Sequence, residues 1–154
     1  MRAFRIFAVV VAFAACGRAP NPGETLQLEK GTSALRIEVA GVRSDKGTLG
    51  CSLHIDGEQF PGASRIIGGG QEHAANGASV MCAWDELPAG TYAISVFHDE
   101  NDNGKLDTNI VGAPVEGYGV TNNITYPMGP PKFDESKFDV AAGATASKQI
   151  TLKY

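Results

Sequence analysis

Residues 87–104 read Leu-Pro-Ala-Gly-Thr-Tyr-Ala-Ile-Ser-Val-Phe-His-Asp-Glu-Asn-Asp-Asn-Gly. Leu87-Pro88-Ala89-Gly90 is a break, because proline has no N–H for a ladder and glycine admits a turn. From Tyr92 to Phe97 every residue except Ser95 is apolar, on both phases of a two-residue period. A run that is apolar on both phases belongs to a strand covered on both faces, so this is the predicted central strand. His98 falls on the phase of Tyr92, Ile94 and Val96. The oxygen-rich segment that follows is the predicted loop at its end.

On either side the period-two pattern continues, now with one polar phase. Leu35, Ile37 and Val39 alternate with Arg36 and Glu38; Leu49, Cys51, Leu53 and Ile55 alternate with Thr48, Gly50, Ser52 and His54. Val80, Cys82 and Trp84 alternate with Ser79, Met81 and Ala83, and Ile150, Leu152 and Tyr154 close the chain against Gln149, Thr151 and Lys153. Shorter strands are expected at Tyr118–Val120 and around Phe138 and Val140, and residues 56–78 read as a long loop about Gly68, Gly69 and Gly70. No segment beyond the N-terminus carries a 3.6-residue period. Short strands with Gly and Pro turns between them predict an all-β domain, a sandwich or a barrel.

The N-terminus is of another kind. Met1-Arg2-Ala3-Phe4-Arg5 is basic, and Ile6 to Ala15 is apolar and about ten residues long, too short for a bilayer span of roughly 20. This reads as a secretory signal peptide over residues 1–15. Phe13-Ala14-Ala15-Cys16 resembles the lipobox of bacterial lipoproteins, with Phe13 where Leu is usual. That resemblance implies lipidation of Cys16 and a membrane partner through the anchor. Gly17 follows, not the Asp of an inner-membrane retention signal, so the outer membrane is the expected address. Ala12-Phe13-Ala14 also fits ordinary cleavage, which would give a soluble periplasmic or secreted protein. Residues 16–33 are polar and Gly/Pro-rich and read as a tether, with residues 34–154 as the single domain.

The formal net charge is −4, and loss of Arg2 and Arg5 with the leader takes it to about −6. No Lys/Arg cluster exists, so nucleic acid is not an expected partner. Of the three cysteines, Cys16 is accounted for by lipid. Cys51 and Cys82 lie on the apolar phase of separate strands. In an oxidising compartment they pair as a disulfide, or else stay as two core thiols. No CxxC spacing points to zinc.

The chemistry is concentrated at residues 98–107, His-Asp-Glu-Asn-Asp-Asn-Gly-Lys-Leu-Asp. Asp99, Asn101 and Asn103 match the alternate oxygen positions of a calcium loop. Gly104 gives its sharp turn, Lys105 a backbone carbonyl and Asp107 the ninth position. The twelfth position is Ile110, so this is no EF-hand; a cation here would be closed by Glu116 or by water and would be structural. The other reading is a polar hairpin in which Asp and Asn satisfy backbone amides.

The run 87–109, followed by Gly112-Ala113-Pro114-Val115-Glu116-Gly117-Tyr118-Gly119, Asn122-Asn123 and Gly129-Pro130-Pro131-Lys132-Phe133, resembles the bacterial family called domain of unknown function 2141. Phe60-Pro61 fits it too, and the likeness covers roughly residues 34–154. Two positions depart from the family pattern, Asp102 for a common Gly and Val120 for a common Phe. The resemblance implies an immunoglobulin-like or prealbumin-like antiparallel β-sandwich of about seven strands, and it carries no activity with it.

Two functions follow as expectations. One is a non-catalytic envelope module that binds a small ligand or an envelope protein, with His98, Glu116, Tyr118, Asn122 and Asn123 as the possible ligand surface. The other is a hydrolase using His98 with Asp99 or Glu116. The hydroxyisourate hydrolases of prealbumin-like fold end in Tyr-Arg-Gly-Ser, whereas this chain ends Thr151-Leu152-Lys153-Tyr154, so the module is the favoured expectation.

Overall fold

The computed structural model describes residues 28–58, 60–62, 70–73, 79–125 and 129–154. The leader, Cys16 and most of the tether lie outside the described residues. Eight strands are described: β1 (Ser33–Ala40), β2 (Thr48–His54), β3 (Gly70–His73), β4 (Val80–Leu87), β5 (Gly90–Asp99), β6 (Gly117–Val120), β7 (Phe138–Val140) and β8 (Thr145–Thr151). A single helical turn, α1, covers Phe133–Ser136. The expected strands form, and β3 is an addition inside the segment read as a long loop.

The strands make two sheets packed face to face. The first has the order β4-β1-β8, with β1 antiparallel to β4 and parallel to β8. The second has the order β3-β2-β5-β6, and β7 also pairs with β5. In the immunoglobulin order the first two strands share a sheet. Here β1 and β2 lie in different sheets, so this two-sheet β-sandwich departs from the immunoglobulin order.

Burial explains the sequence pattern strand by strand. On β1 the inward phase is Leu35, Ile37 and Val39, all at 0% exposure, and the outward phase faces water. Leu49, Leu53, Ile94 and Val96 of the second sheet pack against them, and Ile150 lies beside Val39 on β8 in the same core. Between the layers Cys51 of β2 and Cys82 of β4 form a disulfide, with Cα atoms 6.5 Å apart. The bridge thus joins the two sheets, as the shared inward phase of the two cysteines requires.

β5 is central in the second sheet. Its edge opposite β2 is shared: Gly90–Tyr92 pair with β7, and Ser95–His98 pair with β6. The Ile94 amide falls in the gap between these partners. The Thr121 hydroxyl fills it, accepting the Ile94 N–H at 3.1 Å and donating to the Ser136 carbonyl at 2.6 Å. Both Thr121 and Ser136 are fully buried, so this side chain stands in for a missing strand residue where water has no access. At the other end of β6 the sheets touch: Tyr118 and Lys153 exchange backbone hydrogen bonds, both 2.9 Å. Gly119 permits this approach, since a Cβ there would meet Ile150 and the Thr151 carbonyl.

The outward phase of β5 is apolar because this sheet is covered on its outer face as well. Phe60, Ala93 and Val120 form a small second core with Ile124 and Phe133. His54 lies under it, fully buried, edge-on to Phe60 with ring centres 4.9 Å apart. Ser95 Oγ donates to the Pro61 carbonyl at 3.0 Å and lies 2.8 Å from His54 Nε2. With its only proton committed to Pro61, Ser95 accepts from His54 Nε2–H. His54 Nδ1 has no partner among the described residues, and burial pushes the imidazole down to about 4.

Two outcomes follow from this packing. Replacing both Cys51 and Cys82 by Ser should cost about 3–4 kcal/mol, the loop-closure value for a bridge of this span, and lower Tm by roughly 10–20 °C. Unchanged thermal unfolding with and without reductant would contradict it. Because the folded His54 resists protonation, stability is complete above about pH 6.5 and should fall toward pH 4 with a slope approaching 1.4 kcal/mol per pH unit. His54→Phe should flatten denaturant-derived stability over that window; a slope unaltered by the substitution would contradict the assignment.

Candidate functional site

The site is built at the end of β5, where the ladder stops and carboxylates take over the backbone amides. Asp99 is buried, and its Oδ1 accepts the Asn103 N–H at 2.9 Å while Oδ2 accepts the Gly104 N–H at 2.6 Å. Asn101 Oδ1 accepts the Asn103 N–H and Asn103 Oδ1 accepts the Lys105 N–H, both at 3.1 Å. These are the self-bonding turns for which Asn and Asp are suited. Asp102 and Gly104 take positive φ, 56° and 80°, and fold the loop back. Asp107 then receives Asn101 Nδ2 at 2.6 Å and Asn103 Nδ2 at 3.0 Å. These two amides hold the exposed Asp107 carboxyl below its ordinary value.

Glu116 fixes this loop to the domain. Its side chain is 4% exposed; Oε1 accepts the Glu100 N–H and Oε2 the Asp107 N–H, each at 2.9 Å. One carboxyl group therefore ties both ends of the loop. Beside it, Arg43 grips Glu100 through Nε and Nη2, and Ser44 donates to the same carboxylate at 2.8 Å. The Arg43 hydrogen bonds are the main reason Glu100 is lowered to about 2.

His98 is fully buried beneath. Nε2 lies 2.8 Å from the Lys46 carbonyl and Nδ1 lies 2.7 Å from the Tyr154 hydroxyl. Since a carbonyl only accepts, Nε2 bears the proton and Nδ1 accepts from Tyr154. Tyr154 accepts the Arg43 N–H at 3.1 Å, and the Arg43 guanidinium stacks 4.1 Å from its ring centre. Both imidazole nitrogens are thus committed, and no face of the ring meets solvent.

The other expected surface residues separate in the same way. Asn122 and Asn123 adopt positive φ, 64° and 52°, which Asn tolerates. Asn122 Nδ2 donates to the Glu135 carbonyl at 3.0 Å; Asn123 donates to Gln149 at 3.2 Å and accepts the Thr151 N–H at 2.7 Å. They hold α1 and β8 in place. Glu116 accepts one loop amide on each of its two oxygens. Ile110 is fully exposed on a separate turn organised by Asn109. Among the described residues no cluster of three or more His, Cys, Asp or Glu gathers as a metal site.

Of the possible ligand surface, Tyr118 lines a cavity. This cleft, of about 300 Å³, lies on the outer face of the second sheet. Ser52, Ser95 and Phe97 form its floor with Tyr118 and Val120; Pro61 and Gly62 are one wall, and Gly104, Lys105 and Leu106 another. Phe97 and Tyr118 are direct cross-strand partners, and Phe97 lies flat over Gly50, where any side chain would collide with the ring. The cleft was not marked by any motif. Its one sequence signal is the second apolar phase of β5, through Ala93 and Phe97.

The loop and the cleft are one unit, since Gly104 and Lys105 belong to both. A shaped apolar recess with few polar groups can bind a small molecule. Among the described residues that line it there is no histidine, cysteine or carboxylate.

Among the described residues no helix is long and apolar enough to cross a membrane. Comparison with curated proteins and with solved structures gives no match. Residues 37–148 match the family described as "Uncharacterized protein conserved in bacteria (DUF2141)", which spans both sheets, the loop and the cleft. The chain belongs to this bacterial family.

Proposed function

We propose that this protein is a non-catalytic binding module of the bacterial envelope, carried on a lipidated Cys16 at the outer membrane. The observation that carries the reading is the cleft walled by the Asp/Asn loop, together with the commitment of His98 and Glu116 to internal hydrogen bonds. A hydrolase working through His98 finds no support, because its imidazole is enclosed. The inter-sheet disulfide fits an oxidising compartment, and so favours export.

The loop serves this module as a structural calcium site. Its donors are Asp99, Asn101, Asn103, Asp107 and the Lys105 carbonyl. The side-chain oxygens of Asp99, Asn101 and Asn103 each take backbone N–H groups and keep further lone pairs. Water completes the shell, since Ile110 cannot. The cation stiffens the wall of the cleft and has no part in chemistry.

Adding 10 mM calcium should raise Tm by roughly 5–10 °C, as expected for the weak affinities of extracellular modules. Asp99→Asn should abolish the rise, and magnesium should not reproduce it; a Tm indifferent to calcium removes the cation from the account. Cys16→Ala should move the protein from the membrane fraction to the soluble envelope fraction. Unchanged fractionation would refute the anchor.

A further inference from the structure

The lining of the cleft narrows the class of ligand. Among the described residues that line it one is charged, Lys105, and none is acidic. This is notable in a chain of formal charge −4. The nearby carboxylates are turned elsewhere: Asp99 to the loop amides, Glu100 to Arg43, and Asp107 to Asn101 and Asn103. Lys105 is exposed and makes no ion pair among the described residues. The Ser95 hydroxyl is already spent on Pro61 and His54.

We propose that the cleft takes a small amphipathic carboxylate, its apolar body against Phe97 and Tyr118 and its anionic end at Lys105. This inference rests on the binding-module reading above. The volume, about 300 Å³, is at the low end for ligand pockets and suits a single small molecule. A phosphate is disfavoured, because among the described residues no arginine fork or helix N-terminus lines the cleft and one lysine is matched to one negative charge. A cationic ligand is disfavoured by Lys105 itself and by the lack of a carboxylate among the described lining residues. Phe97 and Tyr118 lie side by side in the floor, which suits a flat or extended apolar group.

The test is calorimetric titration of the full-length protein in phospholipid nanodiscs with three matched probes: 3-phenylpropionate, 3-phenylpropanamide and 3-phenylpropylamine. The carboxylate should bind saturably, the neutral amide about tenfold more weakly, and the amine not measurably. Lys105→Gln, on an exposed loop, should bring the carboxylate down to the amide's affinity, and Lys105→Arg should restore the preference. Ser52→Trp, which fills the floor, should abolish binding of both. Equal affinity for carboxylate and amide, lost in Ser52→Trp, overturns the carboxylate assignment but keeps the cleft as a binding site. Tightest binding by the amine overturns it too. No binding of any probe, or binding indifferent to both Ser52→Trp and Lys105→Gln, overturns the assignment and the binding-module reading together.

Discussion

The Glu116 carboxyl group, buried between the end of β5 and the start of β6, is the contact on which the site depends. Its two oxygens take the amides of Glu100 and Asp107, so a loop of oxygen-rich residues is closed at both ends by one side chain. Without it, two partly buried N–H groups would lose their protein partner, at a cost of about 0.5–1.5 kcal/mol each. Asp99 does the same work inside the loop for Asn103 and Gly104. The backbone hydrogen-bonding that a ladder gives to β5 is thus continued by side chains after the ladder ends.

This continuation has a consequence for the cleft. Gly104, Lys105 and Leu106 wall it, and their position is set by Asp99 and Glu116 from the opposite side of the loop. The floor is set by the sheet, through the Phe97–Tyr118 pair and the Ser95–His54–Pro61 contacts beneath the second small core. A cation in the loop would act on ligand binding through the wall alone, and ligand and cation would favour each other by the same coupling free energy.

Much of the fold is legible in the sequence because alternation has a direct physical cause. Leu35, Ile37 and Val39 had to face inward once Arg36 and Glu38 faced water, and Cys51 and Cys82 fell on facing inner phases. The doubly apolar run of β5 indicated cover on both faces, and Phe60, Phe133 and Val120 supply it. Other features have no local signature. β3 lies in a polar, glycine-rich segment whose pairing with β2 is a matter of tertiary position. Thr121 and Asn123 replace strand partners through contacts with Ser136 and Thr151, far along the chain. Spacing brings the side chains of Asp99, Asn101 and Asn103 together on the loop amides, but it does not say that Glu116 accepts two more of them or that His98 points into the core. The parity of His98 with Tyr92, Ile94 and Val96 contained that last fact, since all four share one buried face.

Amide hydrogen exchange on Glu116→Ala tests the central claim most directly. If this carboxyl holds the loop, exchange at Glu100 and Asp107 should accelerate by at least tenfold while Leu53 and Ile94 in the core strands keep their protection. Glu116→Gln, which can accept only one of the two N–H groups, should release one amide and spare the other. Unchanged protection of both amides in Glu116→Ala would contradict the account, and the loop would then be held by its own turns.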